Sequence, residues 1–297
     1  MSAASAFRGL VAEPRLTVVP VAATPLAARI AEQLGFEALG LGGYAIGANL
    51  ALSEPLLSLE DVAACVRAIT RVCRLPLLVD AGAGWGEPMH TMHTVRTLEH
   101  AGAAAIHVED QHFPKRAHYH QGIEHVIPAD EMVAKLKGAL AGRTDPDFVL
   151  VARTDAMATD SYDEGISRAR LYYEAGADVV MCFPNDPAEA ERAPRDLKGI
   201  PLIYVNSDGN RLGRGVYPTE TLQDWGWSLV LDAITTTNVT AQAVHDALSQ
   251  LKETGRTDLD QEKMRRTRRF VEDTIGLDEY YALERETVER EPLEGPD

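Results

Sequence analysis

Short runs of consecutive apolar residues, rich in Val, Ile and Leu, alternate along the chain with longer stretches whose apolar positions recur at helical spacing. The runs predict eight strands: Leu16–Val21, Ala38–Leu41, Pro76–Ala81, Ala105–Asp110, Phe148–Arg153, Asp178–Phe183, Pro201–Val205 and Ser228–Asp232. Helical periodicity is predicted between them near Pro25–Leu34, Ser58–Arg71, Met89–Ala101, Pro128–Ala141, Ser161–Ala175, Pro187–Leu197 and Pro218–Trp225, and again near Ala241–Thr254. Several of these stretches stop at a glycine suited to a left-handed cap, as at Gly35, Gly102 and Gly176. Strands that are apolar throughout belong to a parallel sheet covered on both faces. Eight strand–helix units in roughly 250 residues predict a closed (β/α)8 barrel of the TIM type. Domain organisation follows: a barrel over 1–255, then a charged C-terminal helical arm and acidic tail over 256–297.

Composition narrows the class. The 297 residues carry 29 Lys and Arg against 45 Asp and Glu, a formal charge of −16. That balance argues against nucleic-acid binding, which needs a basic footprint to displace counterions. The apolar runs are too short to span a bilayer, and the N-terminus lacks the basic start and apolar core of a secretory signal, so a soluble cytoplasmic protein is expected. Cys65, Cys73 and Cys182 form no Cys-x-x-Cys pair and read as buried thiols.

Candidate chemistry sits at the strand ends. Leu77-Leu78-Val79-Asp80 runs into a glycine-rich turn, and Ile106-His107-Val108-Glu109-Asp110 runs into a loop crowded with Lys, Arg and His. In a parallel barrel Asp80, Glu109 with Asp110, Arg153 with Asp155, and Asn206 are all expected to emerge at one face, the usual address of an active site. Clustered carboxylates suit a hard divalent ion, Mg2+ with Mn2+ as an alternative. An arginine beside them suits bidentate capture of a substrate carboxylate. The histidines at 112, 118, 120 and 125 raise a second reading, a transition-metal site.

Gly42-Gly43-Tyr44, Val79-Asp80 with the following Gly-Trp-Gly, Val108-Glu109-Asp110-Gln111, Phe113-Pro114-Lys115-Arg116 and Ala152-Arg153-Thr154-Asp155-Ala156 together resemble the isocitrate lyase and phosphoenolpyruvate mutase superfamily. The resemblance implies a Mg2+-dependent barrel enzyme, a dimer or tetramer exchanging C-terminal helices, that breaks a C–C or P–C bond of a small carboxylic acid through an enolate-type intermediate. It implies Asp80, Glu109 and Glu54 as the metal-site acids, Arg153 as a substrate-carboxylate ligand, and Gly43 and Tyr44 as the loop that holds substrate oxygens. Lys115 is implied as the base of a mobile gating loop.

Departures from the pattern matter as well. The second acid of the metal strand is replaced by Gly82, and the stretch where a further Glu is expected reads Met181-Cys182-Phe183-Pro184. The loop cysteine of isocitrate and methylisocitrate lyases is replaced within Lys115-Arg116-Ala117-His118-Tyr119-His120, which leaves His118, Tyr119 or His120 to move protons. The expected activity is therefore C–C cleavage of a 2-substituted malate-like 2-hydroxy or 2-oxo acid. Alternatives are an oxaloacetate-type hydrolase or decarboxylase, a P–C mutase or hydrolase, and a catalytically weakened carboxylate-binding barrel.

Overall fold

A computed structural model describes residues 2–121, 125–210 and 213–289. The acidic tail beyond Glu289 lies outside the described residues. The chain divides into two compact units, Met1–Val239 and Thr240–Asp297.

The first unit is the predicted barrel. Its strands are β1 (Thr17–Pro20), β2 (Leu39–Leu41), β3 (Leu77–Asp80), β4 (Ala105–Glu109), β5 (Val149–Thr154), β6 (Val179–Cys182), β7 (Leu202–Asn206) and β8 (Leu229–Asp232). All pair in parallel, in the order β1-β8-β7-β6-β5-β4-β3-β2. A parallel bridge from Val21 to Gly40 closes the ring between β1 and β2. Gly40 permits that closure, because a Cβ there would meet Leu231 Cδ1 at 2.5 Å.

Strand parity decides which side chains reach the site. Leu78, Ala105, Val149, Val151 and Val179 pack together as one buried cluster, while their neighbours Leu77, Val79, Ile106, Val108, Leu150 and Ala152 pack in another with helix residues such as Val66, Leu98 and Leu136. The first set fills the barrel and the second faces the helices. Asp80, His107, Glu109 and Arg153 share the parity of the first set. Asp110 and Thr154 share that of the second. Register brings Asp80 beside His107 and Glu109 beside Arg153.

Two helices escape the periodicity. Ala3–Ala12 is capped by the Ser2 side chain, which accepts from the Ser5 N–H, and buries Phe7 completely. Gly43–Leu50 follows β2 directly and contains two glycines. The second unit is helical, with most of Thr235–Thr254, then Gln261–Thr274 and Leu277–Thr287. No helix among the described residues is long and apolar enough to cross a membrane.

Candidate active site

Asp80 is fixed by backbone donors from two loops. Its Oδ2 accepts the Gly43 N–H at 3.0 Å and its Oδ1 the Gly82 N–H at 2.9 Å. Burial opposes its charge, but Lys115, Arg153 and the Gly43 N–H outweigh that penalty and hold the carboxyl well below the usual range. Glycine at 43 also admits Glu54, since a Cβ there would lie 2.9 Å from the Glu54 side chain. His107 is buried, with Nδ1 3.6 Å from Asp80 Oδ1, and burial pushes its imidazole pKa down.

Glu109 is fully buried beneath the barrel mouth. Arg153 Nη1 lies 3.1 Å from its Oε2 and Lys115 Nζ 3.0 Å from its Oε1. Lys115 folds back from the loop to place the same ammonium 2.5 Å from Glu54 Oε1 and 4.1 Å from the centre of the Tyr119 ring. The Tyr119 hydroxyl donates to Glu54 Oε2. Burial works against the Lys115 charge, yet Glu109 and Glu54 overcome it and push its pKa up, so the ammonium persists through the neutral range. Burial, with Asp80 and Glu109 nearby, pushes Glu54 up against the pull of Lys115. Burial and Glu54 likewise push the Tyr119 phenol up.

Arg153 is oriented from three sides. Asp155 Oδ1 accepts from its Nε at 3.2 Å and its Nη2 at 3.1 Å, Glu109 holds Nη1, and Cζ sits 4.6 Å from the centre of the Phe183 ring. Gln111 Nε2 donates to Asp155 Oδ2 at 2.6 Å, anchoring that carboxylate in turn. Asp110 points the other way, into the helix layer. It accepts from Thr154 Oγ1, the Asp155 N–H, Arg168 Nη1 and the Tyr172 hydroxyl at 2.8, 3.1, 3.2 and 2.9 Å.

A cavity of about 420 Å³ opens over these groups, within the range of small-ligand sites. Of the residues expected from sequence, Gly43, Tyr44, Glu54, Asp80, Lys115, Tyr119 and Arg153 line it. Glu109 lies just below, touching two of the lining cations. Two expected residues are placed elsewhere. His118 is exposed and outside the lining. The Asn206 amide is engaged by the Tyr217 backbone, donating to its carbonyl at 3.0 Å and accepting its N–H at 3.2 Å. The His120 side chain lies outside the described residues. Sequence reasoning passed over Ser207 and Arg214, which also line the cavity. Their only signal was a polar, glycine-rich loop after the seventh strand.

The acids fit a hard cation by donor chemistry. Glu54, Asp80 and Glu109 offer oxygen alone, and Glu109 Oε1 is buried without a hydrogen bond, Lys115 lying off its acceptor direction. Among the described residues no three His, Cys, Asp or Glu side chains form a ready coordination shell. Mg2+ does not require one, because it keeps several waters and takes one or two protein carboxylates.

A closed parallel barrel with acids, a lysine and a clamped arginine gathered at the carboxyl ends of its strands defines an enzyme of small carboxylic acids. The chain belongs to the family described as phosphoenolpyruvate phosphomutase, whose profile matches residues 7–252, as the strand-end motifs implied. It is 37% identical over 256 residues to a probable 2-methylisocitrate lyase of Corynebacterium glutamicum, covering 84% of this chain and 82% of that one. A crystal structure of 2,3-dimethylmalate lyase superposes with a TM-score of 0.87 at 26% identity, covering 100% of this chain and 99% of the other. Phosphonopyruvate hydrolase, solved with oxalate and Mg2+, superposes at 0.83 and 25% identity over 97% of this chain and 100% of its own.

Proposed function

We propose that the protein is a Mg2+-dependent carbon–carbon lyase that cleaves a 2-substituted malate-like acid into a 2-oxo acid and a second carboxylic acid. The observation that carries this reading is the convergence of Glu54, Glu109, Tyr119 and Arg153 on one buried site centred on Lys115, with Asp80 alongside. Similarity to enzymes named for methylisocitrate and dimethylmalate supports the substrate class.

Mg2+ held through Asp80, Glu109 and Glu54 would supply Lewis acidity to the substrate's carboxylate and the oxygen beside it. Arg153, locked by Asp155 and Glu109, presents its remaining N–H groups to that carboxylate in a fixed plane. Lys115 holds the acids together and offsets their mutual repulsion. Cleavage passes the 2-hydroxyl proton to Glu54, whose buried carboxylate is raised in pKa and paired with Tyr119, breaks the C2–C3 bond, forms the C2 carbonyl and leaves the electron pair on C3. Tyr119, protonated throughout the neutral range and hydrogen-bonded to Glu54, returns a proton to C3 in place of the cysteine that Ala117 cannot supply.

Tyr119→Phe is expected to lower kcat by about a hundredfold with KM little changed, the range typical of lost general-acid catalysis. Steady-state kinetics check this; an unchanged kcat would take the proton donor's role from Tyr119.

The reading itself is tested by proton, carbon-13 and phosphorus-31 NMR of the protein with 2-substituted malates, oxaloacetate and phosphonopyruvate, with Mg2+ and again with EDTA. A Mg2+-dependent 2-oxo acid with a second carboxylic acid supports the lyase. Oxalate with acetate, pyruvate with CO2, or pyruvate with phosphate would replace it with a hydrolase or decarboxylase.

We propose in addition that the protein works in the cytoplasm as a homodimer or homotetramer. The helical second unit exposes apolar side chains, among them Leu248, Phe270, Tyr280 and Tyr281, that support self-association. Sedimentation at several concentrations tests this, and a monomer throughout would refute it.

A further inference from the structure

The cavity extends well beyond the acid cluster, and its far wall carries a second guanidinium. Arg214 follows β7, and β7 stands four strands from β3 in the ring of eight, directly across the barrel mouth from Asp80. Phe183 follows β6, between the two arginine-bearing segments, and both guanidiniums rest on its ring: Arg153 Cζ at 4.6 Å and Arg214 Cζ at 4.5 Å from the centroid. The two cations are therefore at most about 9 Å apart. Both guanidiniums thus line one cavity, within the reach of the two carboxylates of a four-carbon diacid.

The loop that carries Arg214 is built to place it. Asn210 Oδ1 accepts the Arg214 N–H at 2.9 Å, and Asn210 Nδ2 donates to the Arg214 carbonyl at 2.9 Å and to the Ser207 carbonyl at 3.0 Å. One side chain thus clasps both ends of the loop. Arg153 is clasped by Glu109 and Asp155; Arg214 stacks on Phe183, and Asn210 fixes its backbone.

We propose that Arg214 binds the carboxylate of the substrate remote from Arg153 and so makes the enzyme selective for dicarboxylic over monocarboxylic acids. The inference rests on the lyase reading above and deepens it. When the C2–C3 bond breaks, the electron pair left on C3 delocalises into the adjoining carboxylate, which gains negative charge until C3 is protonated. A guanidinium at that carboxylate binds the ground state and stabilises the developing charge more strongly.

Calorimetry with Mg2+ present, using malate, lactate and oxalate as probes, tests this. Malate and lactate differ by the second carboxylate, and oxalate reports on the acid cluster alone. The intact protein should bind malate more tightly than lactate. Arg214→Met should weaken malate by roughly 30-fold or more, the effect of removing one partner from a desolvated charge pair, and leave lactate and oxalate unchanged. Arg214→Lys should recover part of the loss. Unchanged malate affinity in Arg214→Met overturns the proposal, as does an equal loss of oxalate binding in both variants, which would mark a structural role. The two readings fail separately. If the protein cleaves diacids but Arg214→Met keeps the preference, Arg214 falls and the lyase stands. An Arg214-dependent preference for malate without any 2-oxo acid product refutes the lyase and keeps Arg214 as the reader of the second carboxylate.

Discussion

Asp80→Ala is expected to abolish Mg2+-dependent turnover, lowering kcat/KM by about a thousandfold or more, while the barrel stays folded. Lewis-acid stabilisation by a bound metal is worth several kcal/mol, and each 1.36 kcal/mol is a factor of ten in rate. Asp80 is the acid whose position owes most to the backbone, through Gly43 and Gly82, so its loss disturbs no side-chain pair within hydrogen-bonding distance. What it does disturb is charge. The substitution leaves Lys115 and Arg153 facing Glu54 and Glu109 with one anion fewer, which weakens cation binding beyond the loss of a single ligand. Titration of turnover with Mg2+ checks the claim: the variant should need far more metal and reach a much lower plateau. Unchanged turnover at ordinary Mg2+ would sink the assignment of Asp80 to the metal site. Stability also bears its signature. Because the Asp80 carboxyl is held below its unfolded value, its contribution is present above about pH 4 and is lost as the pH falls below that, in accord with linkage. The variant should lack this acid-side decline.

The barrel was legible because its strands are buried on both faces. Continuous apolar runs bounded by glycine or proline place all eight within one or two residues of where they lie, Ala105–Glu109 against a predicted Ala105–Asp110 for example. Gly43–Leu50 was not legible, since two glycines and an asparagine give it poor intrinsic helicity and its conformation depends on what surrounds it. Ala3–Ala12 could have been read from Ser2, which supplies an N-cap ahead of an alanine-rich run. Strand-end acids were equally open to reading, because topology alone sends them to one face. The partners of those acids were not. Lys115 reaches Glu54 and Glu109 only because its loop turns back over the mouth, and Arg214 meets Phe183 only because the loop after β7 is clasped by Asn210; neither loop carries a period. Asp110 shows what parity adds. Read simply as a strand-end acid beside Glu109, it is expected at the same face as Glu109. Counting alternate residues from Leu78 and Ala105 assigns Glu109 to the interior and Asp110 to the helix side, and that is where the two are found.

That placement makes Asp110 the largest single hold on stability near the site. Its carboxylate is fully buried and gathers the Thr154 and Tyr172 hydroxyls, the Asp155 N–H and the Arg168 guanidinium, whose Nη1 also donates to the Ile127 carbonyl at 2.8 Å. Asp110→Ala removes the buried one of the two carboxylates on Arg168, whose Nε keeps Glu164 Oε1 at 2.7 Å, and leaves three donors without their acceptor. Breaking a buried pair in this way costs about 3–5 kcal/mol, and at roughly 2–4 °C per kcal/mol for large domains the melting midpoint should fall by about 6–20 °C. Denaturant unfolding at neutral pH measures the loss directly, and a change below about 1 kcal/mol would show that Arg168 and Tyr172 find other partners. The pH dependence has a definite sign. Burial, reinforced by the charge of Asp155, pushes the Asp110 carboxyl up to about 6 despite its donors. The folded state therefore holds this proton more tightly than the unfolded chain, where the value is near 3.9. Its contribution is complete below about pH 4 and declines as the pH rises through about 6. Asp110→Asn removes the titration, so the advantage of the natural protein over that variant should be larger at pH 4 than at pH 7. Activity follows through Asp155. With its backbone no longer pinned by an acceptor at position 110, Asp155 orients Arg153 less firmly, and the alanine variant should lose substrate affinity even at temperatures where it is fully folded.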